Sequence, residues 1–283
     1  MNIAITNLQK AETFAAIFQH IKVFTDNVNI MFETERMYIQ AMDSARVSIF
    51  EIMLPAAWFD KYEQTNAANT TIGINTIILF KILNTRDKMQ EITIDYSEDN
   101  TDKLFIHFTS ENKAEFGQGS KNPTTNVIGD RRSPEAFDKH FEVALMDIES
   151  EIMQIPETEY QAEFSIGSTV FANIINQLKL FGDSLDIKCN EEKIELCSNS
   201  MEQGKMSVEI QMDDLTSFVI DEGGELQLSF SLTFMHNICL YNKISKEVEV
   251  KIGADYPMKI VYQLPGHDDA KMVFFLAPKI SEN

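Results

Sequence analysis

The chain predicts an α+β fold of two similar domains, each built from two helix-and-strands units, and three observations carry this. Apolar residues recur at helical spacing in four short segments; each segment is followed by alternating apolar and polar runs; and the order in the first half returns in the second. A length of 283 residues suits two ordinary domains, and 44% hydrophobic content with 20 Phe excludes a disordered chain.

The first unit opens with residues 9–24, QKAETFAAIFQHIKVF, where Phe14, Ile17, Phe18, Ile21 and Phe24 share one helical face. NIMFETERMYIQAM then reads as a hairpin turning at FETER. In the second unit INTIILFKILN, residues 74–84, predicts a short apolar helix, and EITIDYSEDNTDKLFIHF predicts two strands with a polar turn. Residues 110–139 are rich in Gly, Ser, Asn, Pro and charge and predict a long exposed loop in the first domain. Its Lys113, Lys121, Arg131 and Arg132 are either contacts to DNA or a partner, or members of a solvated loop.

MDIESEIMQIPETEYQAEF is acidic and has no helical period, so it predicts an extended connector over residues 148–160 between domains of residues 1–147 and 161–283. The third unit repeats the first: Phe171, Ile174, Ile175, Leu178 and Phe181 in GSTVFANIINQLKLF, then SLDIKCNEEKIELCSN with its turn at CNEEK. The fourth repeats the second, with LTFMHNICLYN leading into EVEVKIGADYPMKIVYQL. VFFLAPKISEN closes the chain with an apolar run that must either dock on the body or form the rim of a site.

Charge is segregated. The four expected helices, over residues 9–24, 74–84, 168–181 and 232–243, hold one acid, Glu12, against Lys10, Lys22, Lys81, Lys179 and Lys243, in a chain with 44 Asp and Glu. Short buried helices exclude charge of either sign, which is one explanation. The other is that the helices face an anionic object, with DNA the obvious candidate, while a net charge of −20 keeps it off the remaining surface.

Catalysis finds no support. There is no GxSxG, P-loop, HExxH or CxxC, and the five histidines are scattered. Asp147, Glu149 and Glu151, or Asp268 with Asp269, have the composition of a cation site but read as solvated surface, so no metal, cofactor or catalytic residue is expected. Cys189, Cys197 and Cys239 lack metal or redox spacing and fit structural thiols in a reducing compartment. No apolar run reaches the roughly 18 residues that span a bilayer, and MNIAITNLQKAETF has no basic region leading into an apolar core, so an intracellular protein without a membrane partner is expected.

Four stretches then carry a resemblance. AMDSARVSIFEI, QIPETEY, LFGDSLDIKC and FFLAPKISEN stand in the order and at the spacing of the proliferating cell nuclear antigen family of DNA sliding clamps, over residues 2–281. The resemblance implies a head-to-tail homotrimeric ring, helices lining the hole and sheets outside, encircling duplex DNA without sequence preference. Subunits would meet along edge strands near His140–Asp147 and Lys205–Met212, with Phe141, Val143, Lys205, Met206, Val208 and Ile210 at the contact. It also implies a hydrophobic pocket for glutamine-to-aromatic motifs of DNA polymerase, clamp loader, flap endonuclease or ligase. Matching positions are Met42, Arg46, Met153, Ile155, Pro156, Tyr160, Pro257, Phe275, Ala277 and Pro278. Taken singly, Ile155 and Phe275 read as core packing; two methionines at the rim suit a surface that accepts many partners.

Lys10, Lys22, Lys81, Lys179 and Lys243 would face DNA, fewer bases than the family usually presents; Ala15, Ala16, Asn173, Asn176, Thr233 and Leu240 stand at matching positions. Glu191 occupies the place of a regulatory lysine, and Arg46 that of the pocket's usual histidine. The expected location is the nucleus or another site of DNA replication, a viral compartment included. A monomeric or dimeric clamp-fold accessory factor of a viral polymerase or transcription complex is the alternative that the thin basic lining favours.

Overall fold

A computed structural model describes residues 1–64, 69–97, 101–110, 137–149 and 151–279. The loop cations Lys113, Lys121, Arg131 and Arg132 lie outside the described residues.

The four units are clear and larger than their sequence signals. Unit one comprises β1 (Asn2–Ile5), α1 (Leu8–Ile21), β2 (Asn27–Phe32), β3 (Arg36–Met42), β4 (Ser48–Pro55) and, after a 3-10 turn at Ala56–Trp58, β5 (Lys61–Glu63). Unit two is β6 (Thr70–Asn75), α2 (Thr76–Leu83), β7 (Glu91–Asp95), β8 (Lys103–Thr109) and β9 (Lys139–Ala144). Unit three is β10 (Ala162–Gly167), α3 (Ser168–Leu178), β11 (Ser184–Cys189), β12 (Lys193–Ser200), β13 (Gly204–Gln211), a 3-10 turn at Met212–Asp214 and β14 (Ser217–Ile220). Unit four is β15 (Leu226–Ser231), α4 (Leu232–Cys239) with a 3-10 extension to Lys243, β16 (Glu247–Ile252), β17 (Met258–Gln263) and β18 (Lys271–Leu276).

Each unit therefore has a strand before its helix and a third strand after it, where periodicity had shown a helix and two strands. The leading strands are short and run almost directly into helices, so their alternation is lost in the helical pattern; Asn7 and Asn75 mark two of the junctions by capping the free N–H groups of α1 and α2.

Three sheets result, with strand orders β5-β1-β7-β8-β9, β14-β10-β16-β17-β18-β4-β3-β2-β6 and β13-β12-β11-β15. The nine-stranded sheet joins the two halves of the chain through antiparallel β4 and β18, in register from Ser48 opposite Leu276 to Met53 opposite Lys271. One face of that seam is aromatic: Phe50 lies opposite Phe274, and Phe24, Tyr241 and Tyr262 pack around Phe274. Tyr241, fully buried, donates its hydroxyl to the carbonyl of Ile17 at 3.2 Å and so ties the turn after α4 to α1. Helix α1 packs beside α2, and α3 beside α4, over this continuous core.

The opposite face carries a smaller apolar cluster of Val261, Val273 and Phe275, with Ile49, Met53 and Ile155 against it. Residues 151–160 run over it without helix or strand. That cover explains why Met37, Tyr38, Ile39 and Gln40 are buried in succession in β3 and not in alternation: both faces of the strand are covered.

Candidate functional site

Two surfaces collect the candidate residues. On the outer face, the MDSAR turn is built around Asp43, 4% exposed, whose carboxylate accepts from Ala45 N at 2.7 Å, Val47 N at 2.9 Å, Ser48 Oγ at 3.0 Å and the backbone N of Ser48. Arg46 takes the left-handed conformation, φ 58°, and is exposed. A β-carbon is tolerated there because the Asp43 bonds determine the turn on both sides.

The final segment docks on the body. Ala277 N donates to Val47 O at 3.0 Å, and Lys279 N to Ser229 O at 2.7 Å, covering part of β15. The tail thus sits beside the MDSAR turn, with Ala277 and Pro278 half-buried.

The connector is pinned by Gln40, a residue that sequence reasoning missed. Its amide bonds both backbone groups of Met153, while its Nε2 also lies 3.2 Å from Tyr38 Oη and from Glu51 Oε1. Tyr38 donates to Glu51; burial and this carboxylate raise the phenol's pKa, so it remains a donor. The period-two pattern of RMYIQAM places Tyr38, Gln40 and Met42 on one face, a signal that could have identified them.

Between connector and sheet lies a cavity of about 370 Å³. Met153, Ile155, Pro156, Tyr160 and Phe275 line it, together with Arg36, Tyr38, Glu51 and Lys259, so its floor is more polar than expected. Lys259 Nζ lies 5.8 Å from the Phe275 ring centroid. Met42 is next to this cavity through its partner Ile49, which in turn faces Phe275. Met42, Arg46, Ala277 and Pro278 form a neighbouring turn-and-tail surface, and exposed Pro257 precedes β17. Tyr160 packs edge-on to Tyr256 at 6.4 Å, and burial raises its pKa.

The helical surface carries the lysines unequally. Lys10 is engaged by Asp60 at 3.5 Å and lies 5.8 Å from the Trp58 ring centroid, so part of its charge is spent within the chain. Lys22 places Nζ 3.3 Å from the ring centroid of Phe80 on α2. Burial, then Lys22 and Lys243, lower the pKa of His20, so these three converge between α1 and the turn after α4. Likewise burial and Lys179 lower that of His236, which bonds Asn176 at 2.7 Å. Lys81 and Lys243 are exposed. His20 and His236 were not singled out from sequence, where a histidine carries no mark of its neighbours.

The strands expected at subunit contacts are sheet edges: among the described residues β9 pairs only with β8, and β13 only with β12. Phe141, Met206 and Val208 are half-buried and Lys205 is exposed; the side chains of Val143 and Ile210 are buried, so only their backbone faces outward along the edge.

Among the described residues no group of three or more His, Cys, Asp or Glu is placed to hold a metal ion, the acidic positions at 147–151 and 268–269 included. Burial pushes the thiol of Cys189 up to about 11 and that of Cys239 to about 12, which keeps both protonated and unreactive. The five histidines are not all scattered, however. Strand pairing brings His107 and His140 together, 33 residues apart in sequence, with Nδ1 atoms 2.7 Å apart.

Known proteins resemble this chain in sequence. Residues 4–121 match the model of the N-terminal domain of proliferating cell nuclear antigen, and residues 154–280 that of its C-terminal domain. The chain is 26% identical over 280 residues to a proliferating cell nuclear antigen of Chaetomium thermophilum, covering 98% of each chain. It is 25% identical over 273 residues to a probable DNA polymerase sliding clamp 2 of Paramecium bursaria Chlorella virus 1, covering 96% of this chain and 89% of the relative. With both domain models matched in order over most of its length, the chain belongs to the proliferating cell nuclear antigen family of DNA sliding clamps.

Proposed function

We propose that the protein is a DNA processivity clamp, a homotrimeric ring that encircles duplex DNA and tethers DNA polymerase and other replication or repair enzymes through the connector surface. The observation that carries this reading is the pseudo-symmetry of the strand pairing. The third strand after the helix of unit one, β4, pairs with the third after the helix of unit four, β18, inside the chain. Their counterparts in units two and three, β9 and β13, are sheet edges among the described residues. Pairing β9 of one copy with β13 of the next repeats the internal seam, and a repeat related by rotation closes into a ring and removes both edges.

The helices then form the inner surface. They hold one carboxylate, Glu12, so the repulsion that a charge of −20 exerts on DNA is concentrated outside. Few cations suffice, because enclosure holds the clamp on its template and contact need only permit sliding. The protein acts as a scaffold without catalysis of its own, and its partners are duplex DNA, a polymerase, a clamp loader, and flap endonuclease or ligase through glutamine-to-aromatic motifs. Its place of action is the nucleus or a viral replication compartment. The domains are residues 1–147 and 161–283, with the connector between.

Light scattering over a dilution series tests the assembly. A mass of three times 32.3 kDa, insensitive to dilution, is expected. A monomer or dimer at micromolar concentration, together with failure to support processive synthesis, would replace the ring by the accessory-factor reading.

A further inference from the structure

We propose that His107 and His140 form a binding site for a divalent transition-metal ion on the outer face of the β5-β1-β7-β8-β9 sheet. The two residues are direct partners across β8 and β9, their rings 4.9 Å apart between centroids and inclined at 62°. Their Nδ1 atoms face each other at 2.7 Å. Two neutral imidazoles in this arrangement share one proton: one Nδ1 donates and the other accepts with its lone pair.

Asp95 decides which accepts. Its Oδ2 lies 3.7 Å from His107 Nε2, and its Oδ1 takes a hydrogen bond from the side chain of Asn2 on β1. A carboxylate on that side draws the His107 proton to Nε2 and leaves the Nδ1 lone pair facing His140. An imidazole whose far N–H points at a held carboxylate is the orientation in which metal-binding histidines are fixed.

Moving the proton of His140 from Nδ1 to the solvent side at Nε2 aims a second lone pair at the same point. A tetrahedral ion bound at about 2.0–2.1 Å requires its two nitrogens roughly 3.3 Å apart, so the pair must open by about 0.6 Å. Small side-chain rotations supply this, since His140 is exposed and the His107 side chain is 28% exposed. Other charges on this face are Glu142, held by Lys103 at 2.9 Å, Glu63, held by Lys61 at 3.0 Å at the far edge, and Glu91 on β7; with Asp95 the acids outnumber the two lysines and leave the face anionic.

Two imidazoles with water completing the shell select ions that prefer nitrogen, Zn²⁺, Ni²⁺ or Cu²⁺, over Mg²⁺ and Ca²⁺. Two protein ligands also mean an exchangeable ion. Both histidines come from one chain, so the donor set needs no residue of a neighbour, although His140 lies on β9, the edge proposed to meet β13 of the next copy.

Isothermal titration of the full, chelator-stripped chain with Ni²⁺ tests it. One ion per chain is expected, with affinity falling about tenfold or more in His107→Asn and in His140→Asn and about tenfold in Asp95→Asn, whose role is to orient His107. His236→Asn and His267→Asn should bind as the parent does, and Mg²⁺ should give no binding. Zn²⁺ should also shift the imidazole NMR signals of His107 and His140 in the unaltered protein, a readout free of any folding defect in the variants. Ni²⁺ binding absent from the parent, or retained undiminished in both histidine variants, would overturn the assignment.

Discussion

Gln40 bonds both backbone groups of Met153: Met153 N donates to Oε1 at 2.7 Å, and Nε2 donates to the Met153 carbonyl at 2.9 Å. One side chain of β3 thus substitutes for a neighbouring strand and holds the connector against the sheet.

Replacing Gln40 with Ala leaves both groups of Met153 without their partner and opens space beside Tyr38. Stability should fall by about 1–3 kcal/mol. Amide exchange around Met153 should accelerate while that of β18 stays slow, and partner peptides should bind more weakly. Unchanged exchange at Met153 would mean that Ile155 packing alone holds the connector.

Ile155 meets Phe275 in the small apolar cluster on the outer face. If partners insert apolar side chains there, Ile155→Ala with Phe275→Ala should weaken a glutamine-to-aromatic peptide by about a hundredfold to ten-thousandfold, at about 1.5–3 kcal/mol per lost contact. The oligomer mass should not change. Equal peptide affinity in the double variant would move the docking surface away from this cavity.

Lys22 and Lys81 are carried by α1 and α2 respectively, with Lys22 stacked on Phe80. Lys22→Glu with Lys81→Glu should impair loading or sliding on DNA and leave peptide binding intact. Direct DNA binding by the parent should show a shallow salt dependence, about 0.9 in log–log slope for each phosphate neutralised. Normal processivity in the variant would exclude this lining.

His20 has its pKa lowered below 6.5 by burial and by Lys22 and Lys243. The unfolded chain therefore takes up its proton first as pH falls. Stability should decline once pH drops below about 6.5 and level off below the folded pKa, because the unfolded state binds more protons in that window. His20→Gln should remove this part of the pH dependence in urea melts, and Lys22→Glu should shrink it. An identical pH profile in His20→Gln would assign the dependence to other groups.

Much of the fold was legible along the chain. Helical spacing found all four helices to within about a turn, because each buries one stripe, as Phe14, Ile17, Phe18 and Ile21 do in α1. The leading strands were hidden because four to six residues of alternation cannot be separated from the helix they run into. At the outer site, the order of MDSAR, QIPETEY and FFLAPK indicated which segments meet, yet not Gln40, Glu51 or Lys259, which contact the connector and cavity only once the strands are aligned.

The sequence by itself determined the fourfold repeat, the two-domain α+β architecture, the family, and the scarcity of acid on the helices, since periodicity and composition act through neighbours a few residues apart. Tertiary structure alone decided that β4 joins β18, that Lys10 is taken up by Asp60, that Gln40 holds Met153, and that His107 meets His140. Those relations join segments distant in sequence, and for the ones made from strands, such as His107 with His140, a shift of one residue in register would turn the side chain to the opposite face.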